Sequence, residues 1–260
     1  MKKSLSTLFT ILIFCTSQLK AQYAVLDFFV LEDGMEKEYL ELEKLWKEYH
    51  QLNADQNITN GWALWKLPPS ESDDEKTAHY LTINQFTSKE QAESANKNFE
   101  YTDVVKIIKK RMRGKVSSRQ IDKTLGTKVK KHWRTYQVEM LDQTIFAGGY
   151  LKIGDKMNIS PMIQKDDEYE KYESNVAKPF FNKNILRGNL RWWGFTKVVG
   201  RNKHAFKDIT HFTWRISVKG KKLERIIYEN DFITDKIWDL TKKSRGMKTS
   251  KTMELIMKTN

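Results

Sequence analysis

Cysteine is almost missing: the chain of 260 residues holds one, Cys15. It lies in an N-terminal apolar run directly behind the bulky Phe14, where a lipid-modified cysteine needs a small neighbour, so it is read as part of a discarded leader. What remains has no disulfide, no thiol nucleophile and no cysteine metal site. Other signatures are lacking too. There is no HExxH, no GxSxG and no glycine-rich strand-to-helix loop, and His50, His79 and His132 show no metal-ligand spacing. After the leader, no stretch reaches the about 18 uninterrupted apolar residues of a spanning helix.

The first residues read MKKSLSTLFTILIFCTSQLKAQ, with two early lysines, an apolar run from Leu5 to Cys15 and the small Ala21 before Gln22. This is the pattern of an export signal. Residues 1–21 are therefore expected to be removed after Ala21, leaving a periplasmic or extracellular protein without a transmembrane segment.

The formal charge of +13 falls to +10 once Lys2, Lys3 and Lys20 leave with the leader. Between Lys106 and Lys131 there are eleven basic residues against Asp122 alone, so that segment carries the whole mature excess. A basic patch around Lys109, Lys110, Arg111 and Arg113 offers a surface to an anionic envelope polymer. The plainer reading is a solvated helical face. No aromatic residue interrupts the segment, which argues against base stacking, and nucleic acid is not an expected partner.

The organising feature is an internal echo: EYLELEKLW (Glu38 to Trp46) returns as EYEKYESNV (Glu168 to Val176). At a constant offset Trp62 meets Trp193, Leu81 meets Phe212 and Thr82 meets Thr213, and VLDFFVL (Val25 to Leu31) aligns with IGDKMNI (Ile153 to Ile159), setting Asp155 on Asp27. The element pattern follows. YAVLDFFVL reads as a strand closed by Asp33-Gly34; Met35, Tyr39, Leu42, Leu45, Trp46, Tyr49 and Leu52 form one helical stripe; GWALWKL and HYLTINQF read as paired strands; a helix starts at Thr87-Ser88; and WRTYQVEML is a closing strand. Pro179 is expected to kink the second copy's first helix or shift its start. The order βαββαβ, given twice, predicts an α+β fold of two tandem ferredoxin-like repeats packed sheet to sheet as an internal dimeric α/β barrel. The first repeat is assigned to residues 22–145, with a basic insertion at about 106–131, and the second to 146–260.

On these residues the chain resembles the dimeric α/β-barrel group, tandem ferredoxin-like proteins that include antibiotic-biosynthesis monooxygenase, NIPSNAP, chlorite-dismutase and haem-degrading branches. It is similar, more narrowly, to exported Bacteroidetes proteins with a strand, an EYxxLE helix and a GWxLW-like strand. The resemblance implies an interior site between two sheets and chemistry ranging from cofactor-free oxygenation to none. In the chlorite-dismutase branch a histidine binds haem, but neither His204 nor His211 matches a ligand motif, so no cofactor is expected and haem stays an outside alternative.

Alternation then separates the two faces of each strand. Leu81 and Ile83, with Phe212 and Trp214, are assigned to the helix-covered face. The opposite face carries Tyr80, Thr82 and Asn84 in one half and His211, Thr213 and Arg215 in the other, joined by Lys156 and Asn158, and is assigned to the interior. There His211, Arg215 and Lys156 beside an apolar wall suit an anionic small molecule, and tryptophans such as Trp193 suit an aromatic one. His211, Arg215 and Asp155 are the catalytic candidates: an imidazole or a buried carboxylate acts as a base. The competing reading makes His211 a hydrogen-bonded wall residue, pairs Asp27 and Asp155 across the two copies, and leaves the tryptophans in the core.

Overall fold

Segments rich in β-branched and aromatic residues form the strands, and the stripe-patterned segments form the helices around them. A computed structural model describes residues 22–71, 73–227 and 230–260; the expected leader lies outside them. In chain order the elements are β1 (Tyr23–Leu31), α1 (Glu36–Asp55), β2 (Gly61–Lys66), β3 (Tyr80–Phe86), α2 (Lys89–Lys97), α3 (Tyr101–Arg111), α4 (Ser118–Gly126) and β4 (Lys130–Gln143). Then follow β5 (Lys156–Gln164), α5 (Tyr169–Tyr172), a π-helical turn (Glu173–Ala177), α6 (Lys178–Leu186), β6 (Leu190–Arg201), β7 (His211–Ser217), α7 (Asp231–Lys243), β8 (Arg245–Met247) and β9 (Lys251–Lys258).

The strands run β7-β6-β4-β1-β3-β2-β9-β5, and β5 pairs back onto β7. All these pairings are antiparallel. This is one closed eight-stranded barrel with helices outside it, and it overturns the expectation of two ferredoxin-like βαββαβ repeats packed sheet to sheet. The physical reason is the edges. Two sheets laid face to face would leave β4, β2, β6 and β9 each with an unpaired row of N–H and C=O groups. Here β4 bonds along β6 and β2 along β9, so no such row remains in the ring.

Closure also reverses the faces. Leu81, Ile83, Phe212 and Trp214, assigned above to the helices, point inward with Leu26, Phe28, Trp65, Tyr136, Val138, Met157 and Leu255. Tyr80 lies outside, in a layer that α1 seals with Tyr39 and Leu42, and Trp193 lies outside with Tyr169, Ala177 and Ile185. The basic segment becomes α3 and α4, which pack Val104, Ile108 and Ile121 against Leu45 of α1.

Local chemistry sets the helix ends. Ser88 Oγ accepts the Gln91 N–H and caps α2, and Asn230 Oδ1 accepts the Ile233 N–H at the start of α7. Pro179 stands in the first turn of α6, immediately after the π-helical turn. A proline has no N–H to give the carbonyl four residues back, and the wider turn ahead of it absorbs that missing bond. The alignment of Asp155 with Asp27 also shifts. Asp27 stands opposite Thr82, but Thr213 faces Ser160, and Asp155 precedes β5 altogether.

One end of the barrel is filled. Leu67, Ala78, Ala205 and Ile209 join the inner cluster there, Arg134 donates from Nη1 to the Lys76 carbonyl, and the Phe206 N–H donates to the Tyr136 hydroxyl. Phe212 is the centre of the inner packing, 5.2 Å from Tyr136, 5.8 Å from Trp214 and 6.1 Å from Phe28 between ring centroids. Phe212→Ala should therefore cost about 3–5 kcal/mol in urea unfolding, whereas Leu186→Ala, at a site 84% exposed, should stay within about 0.5 kcal/mol. Equal effects would mean that the inward face has been misplaced.

Candidate functional site

The other end of the barrel is open. Short side chains at Ala24 and Ala63 alternate with the indoles of Trp65, Trp192 and Trp214, and the space left between them is a cavity of about 770 Å³. Its mouth is bounded by Gln22 to Ala24, by Asn60 to Ala63, by Gln143, Thr144, Phe146 and Gly149 to Leu151, and by Lys258 to Asn260. That volume falls within the range of small-molecule sites, about 300–1,000 Å³. Gly194 sets one wall: a Cβ there would stand 2.5 Å from the Trp192 ring, so only glycine lets that indole lie flat across β6.

The cavity's polar groups are few. Trp214 Nε1 donates to Thr196 Oγ1 at 3.0 Å, and Trp192 Nε1 donates to Gln143 Oε1 at 3.3 Å. Trp65, 1% exposed, finds no acceptor for its Nε1–H among the described residues, and neither does the Asn60 side-chain amide. A buried N–H without a partner is costly in a folded protein. No carboxylate side chain and no histidine is among the lining residues, and Lys258 is their single charged side chain. The wall can therefore stack on a flat ring and donate hydrogen bonds, and it carries no histidine or carboxylate to act as a base.

The residues singled out from the sequence stand elsewhere, on the outer surface of the strands. Trp193, Arg215 and Asn158 lie side by side across β6, β7 and β5, with Arg215 Nη2 donating to Asn158 Oδ1 at 3.1 Å. Burial lowers the Arg215 pKa. Thr213 neighbours Ser160 on the same outer face, Lys156 is exposed, and Thr82 is buried beneath the helices. The Tyr80 hydroxyl donates to Glu36 of α1. His211 is a wall residue: its ring stacks on Phe195, Nδ1 lies 2.9 Å from Thr210 Oγ1, and Nε2 lies 3.2 Å from Glu170. Desolvation lowers its pKa and outweighs Glu170.

The two aspartates part company. Asp27 is partly buried, takes a 2.6 Å hydrogen bond from Thr135, and has its pKa raised by desolvation. Asp155 pairs with Arg191 at 2.8 Å near the mouth, so neither pairs with the other. In the basic segment Lys109 pairs with Asp122 and Arg111 with Glu48, while Lys110 and Arg113 are exposed. The residues that line the cavity carried one sequence signal, the abundance of tryptophan. His204 stands beside His132, 6.0 Å between ring centroids, and neither lines the cavity. No group of histidine, cysteine and carboxylate side chains that could hold a metal ion occurs among the described residues.

No protein-family model matches the chain, and no curated protein matches it in sequence. Solved structures do. An anthrone oxidase-like protein shares 13% identity over 92% of both chains at a TM-score of 0.51. A candidate monooxygenase from Fusobacterium nucleatum shares 9% identity over 92% of this chain and 93% of that one, also at 0.51. These two likenesses establish the barrel fold and nothing finer. A heme-binding protein from Thermus thermophilus is matched at a TM-score of 0.40 with 10% identity, too loosely to argue from. The cavity itself does not fit a haem held by imidazole, since no histidine lines it.

His50 gives this architecture a pH signature. It stacks on Trp62 at 5.1 Å with the planes 6° apart, its Nδ1 is buried without a partner among the described residues, and burial drives its pKa down to about 3. The unfolded chain takes up this proton near pH ~6.5 while the folded one refuses it, so stability falls as pH drops through that value towards about 3. His50→Phe keeps the stack and removes the titration. Its melting temperature should fall less than that of the parent between pH ~7 and ~4, and identical slopes would refute the assignment.

Proposed function

We propose that the barrel binds an uncharged, largely apolar molecule with a flat aromatic part, entering by the open end and accepting a hydrogen bond from Trp65. Trp65 carries this reading: it belongs to the lining of an apolar cavity without a carboxylate side chain, and its buried N–H has no partner among the described residues. A buried donor is best satisfied by a ligand acceptor, and the three indoles provide the stacking surface. An anionic ligand is the poorer fit, because Arg215, Lys156 and His211 lie outside the cavity.

The neighbours named as an anthrone oxidase-like protein and a candidate monooxygenase lend support to oxygenation of such a molecule. On that reading the barrel contributes enclosure, orientation and exclusion of water, and the substrate must lose its proton without a carboxylate or imidazole from the wall. Export after Ala21 belongs to the same proposal and sets the compartment in which the ligand is met. The basic α3–α4 surface gains no comparable support as a polymer site, since Lys109 and Arg111 are spent on Asp122 and Glu48.

A polarity-sensitive, uncharged naphthyl ketone provides the test, because it combines flat rings with one carbonyl acceptor. Titration should show saturable one-to-one binding with a blue-shifted emission. Trp65→Phe should weaken it about fivefold, the worth of one hydrogen bond, and Ala24→Trp should abolish it by filling the cavity. Failure to saturate, or affinity untouched by both substitutions, would refute the proposal.

A further inference from the structure

The connection from β4 to β5 crosses the mouth of the barrel and holds apolar side chains out into solvent. Ile145 is 66% exposed, Tyr150 79% and Ile153 60%, while the Phe146 ring reaches back to 6.5 Å from Trp192 in the cavity wall. The connection is anchored. Arg191 donates from Nε to the Ala147 carbonyl and from Nη2 to the Tyr150 carbonyl, and its Nη1 pairs with Asp155, which accepts the Lys152 N–H. Gly148 and Gly149 both have positive φ, and Gly148 lies so close to Arg191 that a Cβ would meet its Nε at 3.4 Å. Apolar side chains held outward by a built scaffold are a surface feature in want of a partner.

Lysines outnumber free carboxylates around them: Glu254, exposed, stands across from Lys156 on β9. Lys152 and Lys156 are exposed beside the loop and Lys258 stands on the rim, and no carboxylate lies within ion-pair distance of these three among the described residues. Two nearby acids are taken, since Asp142 pairs with Lys178 and Asp155 with Arg191, which leaves Lys152 and Lys258 without a facing carboxylate side chain among the described residues.

We propose that this rim docks on an anionic lipid surface, with Ile145, Tyr150 and Ile153 entering the headgroup boundary and Lys152, Lys156 and Lys258 facing the phosphates. Aliphatic and aromatic side chains flanked by lysines are what an interfacial anchor requires. A protein partner fits less well, because a few side chains on one loop supply a small part of the about 1,200–2,000 Å² of a stable protein interface. The orientation turns the open end of the barrel towards the acyl layer, so an apolar molecule would pass from lipid to cavity with little exposure to water. That route rests on the ligand reading above; the docking does not.

The test is co-sedimentation of the chain from Gln22 onward, in which every described element lies, with vesicles of phosphatidylcholine alone or mixed with phosphatidylglycerol. The chain should sediment with the mixed vesicles and much less with phosphatidylcholine alone. Ile145→Ser with Ile153→Ser should weaken binding about tenfold or more, and Lys152→Glu with Lys156→Glu should weaken it as an independent check. Lys110→Ala with Arg113→Ala, on the α3–α4 surface outside the β4–β5 connection, should leave it unchanged. Titration with the naphthyl ketone in vesicle-free buffer should be the same for the Ile145/Ile153 variant as for the parent, which keeps a failed ligand reading distinct from a failed docking reading. The proposal is overturned if the parent ignores mixed vesicles, if both rim variants bind as the parent does, if the α3–α4 variant alone loses binding, or if the rim drives self-association without vesicles.

Discussion

Backbone groups at a sheet edge have to be satisfied, and in this chain they are satisfied by joining four edges into two seams. β4 runs along β6 from Tyr136 to Gln143, and β2 runs along β9 from Ala63 to Lys66. Both seams carry register shifts, between Gln137 and Val138, between Met140 and Asp142, and between Leu64 and Trp65. Such irregularities add local twist and bend, which a closed ring of eight strands needs. The inward face, the cavity and the open mouth all follow from that closure.

Closure gives each strand two buried faces of different character. The inward face is filled by side chains of the strands alone, so its volume is set by the mix of large and small residues, and Ala24, Ala63 and Gly194 keep the open end from being packed solid. The outward face meets helices and tolerates polar groups that find partners there, as His211 does with Glu170 and Asp27 with Thr135. The titratable residues that looked chemical in the sequence have been drawn into this outer layer. The cavity is left almost without charged side chains, and its unmet donors are the Trp65 N–H and the Asn60 amide.

Strands and helices were legible because local pattern decides them. Tyr23–Leu31 is a strand as its composition requires, α1 follows its stripe, and Ser88 starts α2 where its hydroxyl can cap. Orientation was not legible. In β3 four successive residues, Tyr80, Leu81, Thr82 and Ile83, are all buried, so alternation cannot say which pair meets helices and which meets the lumen. Asp155 was misplaced because matching a triplet of letters ignored Gly154, whose positive φ belongs to a turn before the strand. The Arg191 anchor was out of reach for a different reason: its three acceptors lie between 36 and 44 residues away in sequence, and no local rule connects them.

The central claim is that the space enclosed by the strands at the open end is accessible and holds a flat apolar molecule against Trp65. A brominated naphthyl ketone soaked into crystals of the protein tests it most directly, because anomalous scattering locates the bromine without reference to any assumed pose. The account predicts a peak inside the barrel between Trp65, Trp192 and Trp214, with the ketone oxygen within hydrogen-bond distance of Trp65 Nε1. A peak confined to the outer helical layer, or a lumen that refuses the molecule while the crystal stays intact, would contradict it.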